Sequence, residues 1–147
     1  LVLVDGSPLI RKEPDNLSGL TVQQARALAL SYQTDRNKAA DRFVRQLFKS
    51  EPLASLAREI KEASLKTPSA TAVSLFFDLY TGDRRPALAR VSVPTLIIVR
   101  PENRITGEMM QARIDGSKLE VIDAGHALFL EKPQAFNQTL EAFLTAF

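Results

Sequence analysis

An α/β fold, with a parallel sheet interrupted by an all-helical insertion, is predicted by three features of the sequence. Two short, continuous apolar runs, Leu1-Val2-Leu3-Val4 and Val93-Pro94-Thr95-Leu96-Ile97-Ile98-Val99, have the character of strands buried on both faces. Between them, residues 9–90 need no strand, and their apolar positions recur at helical spacing. After the second run, strand and helix alternate again, which is the pattern of a parallel sheet with covered faces.

The elements follow in order. The first run ends at Asp5-Gly6-Ser7-Pro8, a turn composition. Residues 17–90 read as helical. Thr21 and Gln24 have capping-box spacing, and Ala25, Leu28 and Ala29 continue the helix. A second helix carries Ala40, Phe43, Val44, Leu47 and Phe48. A third is expected after Glu51, with Pro52 in its first turn and Leu53, Leu56, Ala57 and Ile60 on one side. A fourth is expected with Thr67 as cap and Pro68 at the first helical position, running past Val73, Phe76, Phe77 and Tyr80 to stop at Gly82. Pro94 sits at the start of its strand, where no ladder donor is needed. A short helix from Thr106 to Ile114, a strand from Lys118 to Ile122 and a last helix from Pro133 to Ala146 complete the chain. Phe136, Leu140, Phe143 and Leu144 form the expected buried stripe of that last helix. The expected domain organisation is a core strand at 1–8, a helical lid at 9–90 and a return to the core at 91–147.

Composition narrows the function classes. The chain has 147 residues, 45% of them apolar and 24% charged, with a net charge of +2. That is ordinary for a globular domain with a real core. No apolar run approaches the length that spans a membrane. Arg26, Arg36, Arg45 and Arg58 are dispersed and not interleaved with aromatics, so no nucleic-acid platform is expected. There is no cysteine, which removes thiolate chemistry and disulfides and fits a reducing, cytoplasmic compartment. A single histidine excludes a multi-histidine metal site. No metal and no cofactor are expected.

In a parallel sheet, ligands gather at the carboxyl ends of the strands. Asp5, the loop Arg100 to Ile105, and His126 each follow a strand directly. Three separate loops thus bring polar groups to one edge of one sheet. Gly125 is expected to let the chain turn sharply enough to aim His126 back over that edge.

At these residues the chain resembles the α/β-hydrolases. Val93 to Val99 followed by Pro101-Glu102-Asn103-Arg104-Ile105 is similar to their strand and acid loop. Asp123-Ala124-Gly125-His126-Ala127-Leu128-Phe129-Leu130-Glu131-Lys132-Pro133, with Phe136 and a terminal helix, resembles their histidine loop. Leu1 to Pro8 resembles the strand after the nucleophile elbow, and the helical block resembles the lid inserted there. The resemblance implies a serine-type hydrolase of esters or similar bonds, with His126 as general base. In that chemistry the imidazole takes the nucleophile's proton, and a carboxylate fixes the tautomer and stabilises the imidazolium.

Two departures qualify this reading. The acid position of the family holds Asn103, and an amide carries no charge to stabilise an imidazolium. Asn103 is then a weak orienter, or the acid comes from elsewhere, or the chain is not a working hydrolase. Asp5 is the best alternative acid, because some members of this fold carry the acid after the strand that follows the nucleophile. Otherwise Asp5 is a turn residue. Glu102 points the wrong way, and Asp123 is too close to His126 in sequence. The second departure is the absence of any Gly-x-Ser-x-Gly elbow in the chain. Ser7 follows a strand but lacks the flanking glycines. The resemblance therefore implies a C-terminal half whose nucleophile lies outside it, completed by an N-terminal half or a second chain. The lid aromatics Phe43, Phe48, Phe76 and Phe77 favour a small apolar substrate, while Tyr32 and Tyr80 read as packing residues. The alternative function is a non-catalytic binding or scaffold protein with a degenerate triad.

Overall fold

The computed structural model describes residues 1–14, 16 and 19–146. The elements run β1 (Val2–Val4), α1 (Val22–Thr34), α2 (Arg36–Leu47), α3 (Ala54–Leu65), α4 (Ser69–Thr81), α5 (Arg85–Leu88), β2 (Leu96–Val99), α6 (Arg104–Gln111), β3 (Lys118–Val121), α7 (Leu128–Glu131) and α8 (Pro133–Leu144). They form two compact units. The first comprises Leu1–Ser7, Leu47–Glu51 and Arg84–Phe147, and the second Pro8–Gln46 and Pro52–Asp83.

The first unit is built on a parallel sheet in the order β1-β2-β3. Val2 pairs with Leu96 and Leu96 with Lys118. The central strand explains its own sequence. Leu96 and Ile98 face a cluster with Ile122, Ala124, Leu128 and Phe143, whereas Ile97 and Val99 face Leu88, Met110 and Ile114. Successive side chains of a strand point to opposite faces, so covering both faces demands an unbroken apolar run. All four β2 residues are fully buried. β1 is only half-buried, since β2 is its one partner among the described residues. Helix α6 lies close on the second face. A Cβ at Gly107 would come within 2.7 Å of Leu119 Cδ1 and 3.1 Å of Val99 Cγ2. Helix α8 contributes Phe143 to the first face, with Phe136 packed against that cluster. Leu144 is exposed rather than buried, because one step of 100° past Phe143 carries it off the inward stripe.

The second unit is helical, with α1 packed on α4. Thr21 and Gln24 form a reciprocal capping box, at 3.2 Å from the Gln24 amide to Thr21 Oγ1 and 2.9 Å from the Thr21 amide to Gln24 Oε1. Two helix starts differ from expectation. Pro68 is extended, with ψ 143°, so α4 begins at Ser69 and Thr67 makes no cap. Leu53 is likewise extended and places Pro52 ahead of α3 instead of in its first turn. Gly82 leaves the helical region and ends α4. Arg36 Nη2 donates to the carbonyls of Ser64 and Thr67 near the end of α3, and its guanidinium lies over the Tyr32 ring. Tyr80 stacks on Phe76. A cavity of about 420 Å³ within this unit is lined by Tyr32, Arg36, Phe43, Ile60 and Leu75 among others. No helix of the described residues is long and apolar enough to cross a membrane.

Candidate active site

Asp5 stands where β1 ends. Its amide donates to the Ile98 carbonyl at 2.7 Å, the last rung of the β1–β2 ladder, and its backbone then turns left-handed with φ +44°. Among non-glycine residues, aspartate and asparagine tolerate this region best, at a cost on the order of 1–2 kcal/mol. The turn leaves the carboxylate at the sheet's edge with no accessible surface on its side chain.

Every oxygen of that carboxylate is engaged. Oδ2 lies 2.7 Å from His126 Nδ1. Oδ1 accepts from Asn103 Nδ2 at 2.9 Å and from the Arg100 amide at 3.1 Å. The Arg100 guanidinium adds an ion-pair contact, with Nε 3.4 Å from Oδ2. Burial pushes the Asp5 carboxyl up. The hydrogen bonds from His126, the Arg100 amide and Asn103, with the Arg100 charge, outweigh it and hold the carboxyl below its ordinary 3.8. An ionised carboxylate only accepts, so the proton on neutral His126 belongs on Nδ1 and the lone pair on Nε2. His126 is half-exposed.

The histidine loop follows β3. The Ile122 amide donates to Val99 O at 2.9 Å, and the chain then bends through Asp123 and Ala124. Gly125 has no positive φ, so the bend of the chain here does not rest on a left-handed glycine. It supplies room: a Cβ there would come 2.5 Å from Lys49 N, 2.6 Å from Leu47 O and 2.6 Å from Phe48 C. The loop is further held by the Ala127 amide on Leu47 O at 2.8 Å. Buried Ala124 and Leu128 anchor it on either side of His126.

The structure thus brings Asp5, Asn103 and His126 together, with Asp5 in the middle. Asn103 contacts Asp5 instead of the imidazole. It ends the 3-10 turn Pro101–Asn103 and heads α6, yet its side chain makes no cap there, being committed to Asp5. Glu102 is exposed and sits near Arg100. Asp123 is exposed and paired with Lys49. Sequence reasoning missed Arg100 as a partner of the carboxylate. Its amide role has no sequence signal, because any residue supplies one. Among the described residues no group of three or more His, Cys, Asp or Glu side chains is placed to hold a metal ion.

Known proteins show the same architecture. An esterase from Exiguobacterium antarcticum superposes over 99% of this chain with a TM-score of 0.90 at 25% identity, and the match covers 56% of that esterase. An enol-lactonase from Burkholderia xenovorans superposes over 98% with a TM-score of 0.77 at 21% identity, covering 55% of its chain. In sequence, 3-oxoadipate enol-lactonase 2 of Acinetobacter baylyi is 38% identical over 73 residues, 47% of this chain and 27% of the relative. The 3-oxoadipate enol-lactonase 1 of the same organism is 34% identical over 94 residues, 61% of this chain and 35% of the relative. No protein-family model matches the chain. The fold and these neighbours make this an α/β-hydrolase-fold chain. Its residues correspond to the C-terminal part of that fold, and it spans 56% of the length of the Exiguobacterium esterase.

Proposed function

We propose that this chain supplies the acid and base of an α/β-fold hydrolase acting on an ester or lactone, with Asp5 as the acid, His126 as general base and the nucleophile outside the chain. The single observation that carries the reading is the 2.7 Å contact between His126 Nδ1 and a fully buried Asp5 carboxylate. A buried negative charge on the far nitrogen is what an imidazole needs to accept a proton during catalysis. His126 Nε2 takes the hydroxyl proton as the nucleophile attacks the acyl carbon. The acyl–oxygen bond breaks, the leaving oxygen receives that proton, and water releases the acyl group by the same route. Asn103 serves as a hydrogen-bond donor to the acid. The enol-lactonase relatives fit this chemistry, since a lactone is a cyclic ester. The helical unit corresponds to the lid of the fold, and its aromatic side chains favour a small apolar acyl group.

The test is hydrolysis of a p-nitrophenyl ester and of 3-oxoadipate enol-lactone by the chain joined to a nucleophile-bearing half of the fold. His126→Ala is expected to lower kcat by about 10⁴-fold or more. Full activity in that variant overturns the assignment. No activity in the unaltered protein favours the binding-protein alternative.

A further inference from the structure

One carboxylate outside the Asp5–His126 pair organises the loop that bears the histidine. Glu131 lies at the end of α7, five residues beyond His126. Its Oε2 accepts from the Gly125 amide at 2.5 Å, and its Oε1 from the Ser50 amide at 2.7 Å. The Lys49 amide reaches both oxygens at 3.1 Å. Three backbone donors from two distant stretches of chain therefore converge on one side chain. One stretch is the residue before His126. The other is the connection between α2 and α3, which belongs to the sheet-bearing unit. The same two stretches meet without side chains as well, at Gly125 against the Leu47–Lys49 backbone and through the Ala127–Leu47 hydrogen bond. On the outer side, Lys49 Nζ pairs with Asp123.

We infer that Glu131 is a positioning residue for His126, a charged clasp that fixes the histidine loop against the α2–α3 connection and thereby sets the aim of the imidazole at Asp5. The reasoning is geometric. An amide N–H cannot move far when both neighbouring stretches share the acceptor, and His126 is covalently next to the held Gly125. Hydrogen bonds to an ionised acceptor are about twice as strong as neutral ones, so the clasp is stiff. Burial pushes the Glu131 carboxyl up, but the Gly125, Ser50 and Lys49 amides, with the Ser50 side chain, outweigh it and hold it below its ordinary 4.5. The clasp is therefore charged at neutral pH. Glutamine in its place presents at most one acceptor oxygen and turns an NH₂ donor toward backbone donors.

The role of Glu131 in catalysis rests on the proposed function, but its hold on the loop does not. The chain's single histidine gives one imidazole spectrum, which separates the two. In Glu131→Gln, amide exchange at Gly125, Lys49 and Ser50 is expected to speed up together by about tenfold or more. The hydrogen-bonded Nδ1 proton of His126 is expected to broaden or vanish from the NMR spectrum. Gly125→Ala, which forces the same two stretches apart without touching Glu131, is expected to disturb the same resonance. Asp123→Asn, which removes only the outer ion pair, is expected to leave it in place. An unaltered Nδ1 proton and unaltered exchange in Glu131→Gln overturn the inference, whether or not esters are hydrolysed. In a nucleophile-completed enzyme the inference also requires a fall in kcat with KM unchanged. If the spectrum responds while the unaltered enzyme hydrolyses no ester, the clasp stands and the hydrolase reading fails.

Discussion

Replacing Asn103 by aspartate restores the residue type usual at this position of the fold, yet here it is expected to damage the site. The Asn103 amide donates to Asp5 Oδ1 at 2.9 Å. Asn103→Asp removes a hydrogen bond to a charged acceptor, worth roughly 1.5–3 kcal/mol. It also sets a second negative charge against the first. Two unit charges about 4 Å apart interact by about 4 kcal/mol at an effective dielectric constant of 20, which is about three pKa units of upward pressure on the pair. Arg100 offsets part of this with its amide and its nearby guanidinium. The two carboxyls then titrate as a coupled pair holding one proton well above the ordinary carboxyl range. Thermal unfolding of the chain, followed by circular dichroism from pH 4 to 8, checks the result. Asn103→Asp is expected to lie below the unaltered protein at pH 8 and to recover part of the gap toward pH 5. Ester hydrolysis by the completed enzyme is expected to fall as well. Equal or higher activity in Asn103→Asp, with no pH-dependent loss of stability, refutes the reasoning and returns Asp5 to the role of a turn residue.

Asp5→Asn is expected to lower kcat by several orders of magnitude and to flatten the acid limb of the stability curve. The Asp5 carboxyl titrates below its ordinary 3.8, so its stabilisation is complete above that value and is lost as pH falls through the folded value. Unfolding midpoints at pH 3 and pH 6 should therefore differ less in Asp5→Asn than in the unaltered protein; an equal difference removes Asp5 as the source. Ile98→Ala opens a void among Leu96, Ile122, Leu128 and Phe143 and is expected to cost roughly 2–5 kcal/mol in urea unfolding. A loss under 1 kcal/mol would mean that the sheet face collapses around the gap.

The sequence carried local information well and long-range pairing poorly. The continuous run at β2 announced a strand covered on both sides, and the alternation of Leu96 and Ile98 against Ile97 and Val99 is that cover. Thr21 and Gln24 cap as their spacing demands, because a cap is settled within four residues. The start of α4 slipped because a proline at a boundary fits both the last extended residue and the first helical one, and α3 starts one residue later still, after an extended Leu53. The three candidate site residues were legible as strand-end residues, but which of them touches the imidazole was not. That depends on the left-handed turn at Asp5 and on an asparagine diverted from capping α6. Glu131 stood in the histidine-loop motif without a visible task, since its partners are amides, and one lies 82 residues away. Gly125 was read for the turn it allows, while the room it leaves beside another stretch of backbone had no sequence signal.

The ladder between β1 and β2 joins Val2 to Leu96, with the whole helical unit threaded between them. Closing a flexible loop costs only about 0.6 kcal/mol more for each doubling of its length, so the sheet is nearly indifferent to how much chain departs after Ser7 and returns at Arg84. That tolerance is thermodynamic; the folding rate pays instead, because distant pairing slows assembly. The departure point at Ser7 is also two residues from Asp5. That freedom has one limit: the inserted stretch returns to the sheet-bearing unit at Leu47–Glu51, where it meets the loop that carries His126, so an insertion of another size keeps the Asp5–His126 contact only if it also supplies that backbone.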